Sequence, residues 1–241
     1  MTGIVMEGVH YAYPGQARGE AALRHLSLTV EHGIVGIVGP NGSGKTTLFR
    51  VILGALAPLA GRVLVGGEPP DRYRREHGVG FIPETPAFDE YLTVREFLNG
   101  LGRLNGSGDL AAVDPQLEGL WDRRLGSLSM GQMRRVEIAA AFLGDPDLVL
   151  LDEPTNGLDP VAVGALRGMI ADKRRAGRSI IVASHHLDEL QRTVDQLLIL
   201  DGGEFRGAWP REEVLSEHGS FDALFHSLFA AEAGERSVLG E

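Results

Sequence analysis

The stretch GPNGSGKT, residues 39–46, constrains this chain more than any other segment of similar length. It follows GIVGIVG, a short and continuously apolar run of the kind that forms a strand buried on both faces. It precedes KTTLFRVILGAL, whose apolar spacing suits a helix. A G-x-x-x-x-G-K-[ST] pattern in that strand–loop–helix setting reads as a phosphate-binding loop. Glycines let backbone N–H groups converge on phosphate oxygens, and the helix N-terminus adds partial positive charge. On this reading Gly39, Pro40, Asn41, Gly42, Ser43 and Gly44 form the cradle. Lys45 is expected to reach the β- and γ-phosphates of a nucleoside triphosphate, Thr46 to ligate Mg²⁺, and Thr47 to touch the α-phosphate.

A second motif supplies the acids. DLVLLDEP is an apolar strand that delivers Asp152 and Glu153 to its carboxyl end, where ligands sit in open α/β sheets. Asp152 is the expected magnesium ligand, and Glu153 the general base for an attacking water. An Asp-Glu pair after a strand carries little weight alone. Paired with the phosphate loop it carries much more.

The remaining elements follow an α/β order. GIVMEGVHYAY, AALRHLSLTV and GRVLVGGEPP read as strands, and SIIVAS and QLLILDGGEF as a strand and a hairpin. Alternating strands and helices in the second half argue for a parallel sheet. Between them, TVREFLNGLGRL and PQLEGLWDRRL have helical periodicity and flank the polar spacer NGSGDL, so a small helical insertion is expected at about 88–130. A helical tail is expected at about 210–241, with Phe221, Leu224, Phe225, Leu228 and Phe229 on one face that packs against its own domain, a partner-binding face being the alternative.

Composition narrows the partners. A net charge of −10 and a pI near 5.3 oppose attraction to a polyanion, so no nucleic acid is expected. The absence of cysteine excludes disulfides, thiolate metal sites and cysteine nucleophiles. The first fifteen residues lack the pattern of a signal peptide, and no run approaches the roughly 18 apolar residues that span a bilayer. Service to a membrane would therefore run through a partner.

Several NTPase classes share the two motifs above, but LSMGQ at residues 128–132, just before the helix that leads to Asp152, is more selective. With it the chain resembles the ATP-binding cassette (ABC) ATPases over about residues 3–207. TNGLDP resembles that family's D-loop with Asp159 as its acid, and ASHH its switch segment with His185 in the histidine position. His186 has no such support.

The resemblance implies a P-loop NTPase of the ABC ATPase fold. That fold has a RecA-like α/β core, an N-terminal antiparallel β-subdomain and an inserted helical subdomain. It also implies that Ser129, Gly131 and Gln132 contact the nucleotide bound on a second cassette, so that a homodimer or heterodimer completes each site. Met130 stands where a glycine is most common. His185 is expected to steady the water with Glu153 and to bond the γ-phosphate. Tyr13, in YAYPG, occupies the position of an adenine-stacking ring; Tyr11 competes for it, and a strand aromatic packed on its hairpin is the plain alternative.

Glu84, in GFIPE, falls where the family usually has glutamine, beside the metal and in a loop that faces the transmembrane partner. The resemblance allows an acid there in the branch that exports drugs, polysaccharides or antibiotics through type 2 transmembrane subunits. A carboxylate still offers a hard cation an oxygen ligand.

The expected function is the ATP-binding and ATP-hydrolysing subunit of an exporter, at the cytoplasmic face of the cell membrane, acting through transmembrane permease subunits. The alternative is a soluble ABC ATPase acting on a macromolecular assembly such as iron–sulfur cluster assembly. A third reading, a nucleotide switch that hydrolyses poorly, is separated from both by ATP turnover.

Overall fold

The computed structural model describes residues 2–15, 21–85, 88–104 and 117–238. Two sheets organise it. The larger has six strands in the order β5-β6-β7-β3-β8-β9: β3 (Ile34–Val38), β5 (Gly80–Ile82), β6 (Leu148–Asp152), β7 (Ser179–Ala183), β8 (Gln196–Asp201) and β9 (Glu204–Pro210). All neighbours are parallel except β8 and β9, which form an antiparallel hairpin. Every residue of β3, β6 and β7 is buried, as continuously apolar strands covered on both faces should be.

Register aligns the strand ends. Ala183 pairs with both Ile37 and Asp152, so these three residues lie in one row across the sheet, and Ile82 pairs with Leu151 one step behind. Gly39, Glu84, Glu153 and His185 each follow that row by one or two residues, so four different strands release them at one sheet edge.

The smaller sheet is antiparallel, in the order β2 (Leu23–Val30), β1 (Ile4–Tyr11), β4 (Ala60–Val65). Helix α1 (Lys45–Ile52) presents Leu48 and Phe49 to a core that both sheets share. On the other face of the large sheet pack α5 (Pro160–Arg175), α6 (Leu187–Thr193) and α8 (Phe221–Val238), the last reached through α7 (Arg211–Glu217). Phe221 and Leu224 are buried there, with Phe225, Leu228 and Phe229 against the same cluster. The apolar face of α8 is thus spent on its own domain, at roughly 1.5–3 kcal/mol for each fully buried side chain.

A third apolar cluster joins α3 (Val94–Leu104) to α4 (Met130–Phe142) through Val94, Leu98, Leu125 and Val136. Here one expectation fails. Residues 115 and 116 of the expected helix lie outside the described residues; residues 118–122 form turns, and Arg124 makes an isolated bridge to Thr93 ahead of a short 3₁₀ turn at Leu125–Ser127. Gly119 takes φ +84°, which a helix does not admit, and the backbone is bound from outside: Val94 N–H donates to Arg123 O, and Arg95 N–H to Trp121 O. The spacing of Leu117, Leu120 and Leu125 reflects burial in this cluster. The spacer NGSGDL lies outside the described residues.

A helix also appears where none was expected, α2 (Pro70–His77). Its sequence PDRYRREH buries Tyr73 alone, so periodicity is silent. Proline at the first position and the ion pairs Arg72–Glu68, Arg72–Glu76 and Arg75–Asp71 sustain it.

Candidate functional site

The loop between β3 and α1 is shaped by close approach. A Cβ on Gly39 would lie 2.1 Å from the Leu200 carbonyl oxygen, and one on Gly44, at φ +104°, would lie 2.5 Å from the Ala22 oxygen. Gly42 also has a left-handed φ of +80°. Lys45 arches over the loop, its Nζ donating to Gly39 O at 2.7 Å and Pro40 O at 3.2 Å. Gly203 N–H donates to Ser43 O and Arg24 N–H to Gly203 O, which ties the β8–β9 turn and β2 to the loop.

A cavity of about 620 Å³ opens over this loop. It is lined by Tyr13, by residues 41–47, and by Glu84, Asp152 and Glu153. Thr46 Oγ1 donates to Asp152 Oδ2 at 2.9 Å. Burial pushes Asp152 up to about 6; the Thr46 hydrogen bond opposes that rise, while the charges of Glu84 and Glu153 add to it. Burial likewise lowers Lys45, and the three carboxylates counter it. Three acids thus converge on one lysine. Two buried carboxylates, Asp152 and Glu153, with the exposed Glu84 and the Thr46 hydroxyl beside them, form an all-oxygen donor set that fits a hard cation such as Mg²⁺.

Glu153 sits beyond the strand with φ +49°, a strained setting for a non-glycine residue. Its N–H donates to Ala183 O, and its carbonyl accepts from Asn156 N–H. The carboxylate is held twice: Ser184 Oγ donates to Oε2 at 3.1 Å, and His185 Nδ1 lies 2.9 Å from the same oxygen. His185 is 60% exposed while Glu153 is 7% exposed, so the imidazole stands between a buried acid and solvent. His186 stacks on His185 with centroids 4.0 Å apart and makes no contact with Glu153 among the described hydrogen bonds and ion pairs.

Tyr13 lies beside the loop. Its hydroxyl is 3.2 Å from Thr47 Oγ1 and accepts from Arg50 NH1, and its ring meets Tyr11 edge-on. Tyr11 is buried in the core. Of the two rings, Tyr13 is the one that lines the cavity.

Ser129, Gly131, Gln132 and Asp159 do not line this cavity. They form a second group at the start of α4. Ser129 and Gln132 make a reciprocal capping box, Ser129 Oγ accepting from Gln132 N–H and Gln132 Oε1 from Ser129 N–H. A Cβ on Gly131 would lie 2.8 Å from Gly157 O, so helix and turn touch at backbone distance. Asp159 caps α5 by accepting from Ala162 N–H and pairs with Arg135 at 2.9 Å. The Ala162 hydrogen bond, more than the Arg135 charge, holds its carboxyl below the usual range. Met130 is 72% exposed and lies over Gly157.

Sequence reasoning did not select Ala21, Ala22, Arg24 or Gly202, which also line the cavity, nor Ser184, nor Arg134 and Arg135. Ser184 alone carried a signal, as the residue before His185 in ASHH.

Comparison with known proteins places this geometry. The family model described as "ABC transporter" matches residues 23–156. The ABC transporter ATP-binding protein NatA of Bacillus subtilis is 36% identical over 203 residues, covering 78% of this chain and 82% of its own. The Nod factor export ATP-binding protein I of Burkholderia lata is 39% identical over 189 residues, covering 74% of this chain and 62% of its own. The chain spans 62–64% of the lengths of the first three curated relatives. A solved structure of an ATP-binding subunit of an ABC transporter superposes with a TM-score of 0.83 at 28% identity, covering 94% of this chain and 99% of that one. Among the described residues, no helix is long and apolar enough to cross a membrane. The α/β fold, the phosphate loop and the match to the family model together make this chain a member of the ABC transporter family.

Proposed function

We propose that this chain is the ATP-binding and ATP-hydrolysing subunit of an ABC exporter, one cassette with a helical insertion at about 88–130 and a helical tail at about 210–241. The observation that carries the proposal is the single cavity in which Lys45, Thr46, Asp152, Glu153 and Glu84 meet, with His185 on Glu153. Residues 39–44 cradle the phosphates, Lys45 leaves its loop carbonyls for the β- and γ-oxygens, and Thr47 meets the α-phosphate. Tyr13 stacks on adenine, for which its place on the cavity wall is suited. Thr46, Asp152 and Glu84 would hold Mg²⁺, which when bound neutralises charge on the β- and γ-oxygens.

In hydrolysis Glu153 orients the attacking water and accepts its proton, as one P–O bond forms and the bond to the ADP oxygen breaks. His185 stabilises the carboxylate's orientation and donates to the γ-phosphate. Ser129, Gly131 and Gln132 of a second cassette close the site from the far side, with Asp159 at the same interface. The separation of that group from the cavity supports this division of labour. Pairing of two copies, or of this chain with a relative, moves transmembrane permease subunits at the cytoplasmic face of the membrane. The relatives' printed names support export over assembly work on soluble scaffolds.

Glu153→Gln tests the proposal. ATP turnover should vanish while ATP binding persists and a nucleotide-loaded dimer accumulates. Wild-type protein that binds ATP without hydrolysing it, with its membrane partner present, would favour a switch.

A further inference from the structure

Arg134, near the start of α4, is a buried cation whose work the site described above does not use. Its side chain is 6% exposed. NH1 donates to Pro83 O at 3.1 Å, NH2 to Glu84 O at 3.4 Å, and Nε reaches Asn156 O at 3.5 Å. Glu137, one turn along and 5% exposed, supplies the counter-charge 3.0 Å from NH1.

These partners belong to three separate segments. Pro83 and Glu84 continue β5 into the loop whose carboxylate lines the nucleotide cavity. Asn156 lies in the turn after β6, where its N–H is bonded to Glu153 O. Arg134 itself stands five residues beyond Ser129, the cap of the same helix. A single guanidinium therefore joins the Glu84 loop, the Glu153 turn and the Ser129 helix. The neighbouring Arg135–Asp159 pair and the Gly131–Gly157 contact fasten the same helix to the same turn.

The arrangement costs something. Neither carboxylate oxygen of Glu137 has a hydrogen-bond partner among the described residues, and burial raises the carboxyl's pKa against the pull of Arg134. A buried ion pair of this kind can often be exchanged for apolar side chains without loss of stability. A structural role alone would not require it.

We propose that Arg134 is a positioning residue that locks the Glu84 loop and the Glu153 turn to the N-terminal half of α4, so that nucleotide occupancy of the cavity is transmitted to Ser129. The proposal rests on the nucleotide-binding reading of the cavity. The planar fork is what the task needs: a lysine keeps the charge but cannot hold several carbonyls in one plane.

The test follows hydrogen exchange in the full chain with and without Mg-ATP, in wild type, in Arg134→Lys, and in the double variant Arg134→Met with Glu137→Leu. The double variant removes the fork without leaving a lone buried charge, and its melting temperature should match or exceed wild type. The expected result is that Mg-ATP protects residues 39–48 in all three proteins but slows exchange across residues 130–142 only in wild type. ATP turnover in both variants should fall at least tenfold with the KM for ATP unchanged. Retention of the α4 response in the double variant, or wild-type turnover by that protein, would overturn the proposal. So would a wild-type α4 that ignores Mg-ATP while residues 39–48 are protected. Absence of protection at residues 39–48 in wild type would contradict the nucleotide reading itself.

Discussion

The cavity over residues 39–47 and the group around Ser129 differ in how their polar atoms are used. In the cavity, like charges are forced together: Asp152, Glu153 and Glu84 surround one lysine, and Asp152 rises to about 6. Around Ser129 the polar atoms satisfy one another: the capping box closes on itself, and Asp159 is lowered by Ala162 N–H and Arg135. On the proposed function, a bound cation would offset the crowding of like charges in the cavity. On the proposed function, the second surface would meet the nucleotide held by another cassette. The difference suits two halves of one site that belong to different chains.

The largest test of this contrast is Glu153→Gln. If Glu153 is the base proposed above, its removal from the strained turn should cut ATP turnover by roughly 10²–10⁴. Asp159→Asn, in the other region, should leave single-chain ATP binding unchanged by equilibrium titration. Loss of single-chain ATP binding in Asp159→Asn would break the division.

Next is acid–base linkage, in which the two aspartates carry opposite signs. Asp152 binds its proton more tightly folded than unfolded, so its stabilising contribution is full below about pH 4 and is lost as pH rises through about 6. In metal-free buffer at pH 7, Asp152→Asn should therefore raise stability by on the order of a few kcal/mol, the gain shrinking toward pH 4. Thermal melts across that range check it. An Asn variant that is less stable at pH 7 would show that Asp152 is not strained.

Smaller in effect is Tyr13→Ala, which should weaken ATP binding by about 1–3 kcal/mol while leaving turnover at saturation nearly unchanged. A drop in turnover alone would move Tyr13 from nucleotide binding to chemistry. Smallest is the stability change in Asp159→Asn. Its folded pKa is depressed, so its contribution is present above the unfolded value of 3.8 and disappears as pH falls through the lower folded value. Melting curves of this variant should converge with wild type in acid and separate slightly at neutral pH.

Much of this was legible in the sequence, for physical reasons that differ by region. The phosphate loop, Asp152 and Glu153 follow buried strands, where an apolar run ends abruptly at a polar residue and marks the sheet edge. The row formed by Ile37, Ala183 and Asp152 required register, which no local pattern encodes. Helix α2 escaped because side-chain ion pairs, not an apolar stripe, sustain it. Residues 117–124 misled because their leucine spacing serves a turn bound by Val94 and Arg95. Arg134 and Glu137 carry no local signal in the sequence, and only the packing of three segments around α4 makes them a buried pair.

The central claim is that each ATP site is built from two chains, Lys45 of one and Ser129 of the other. It is tested most directly by mixing Lys45→Ala protein with Ser129→Arg protein and measuring ATP turnover. Each variant alone should be inactive. Random pairing leaves one intact site in every mixed dimer, so the mixture should recover about a quarter of wild-type turnover. A mixture as inactive as its components, with mixed dimers demonstrated by crosslinking, would contradict the account.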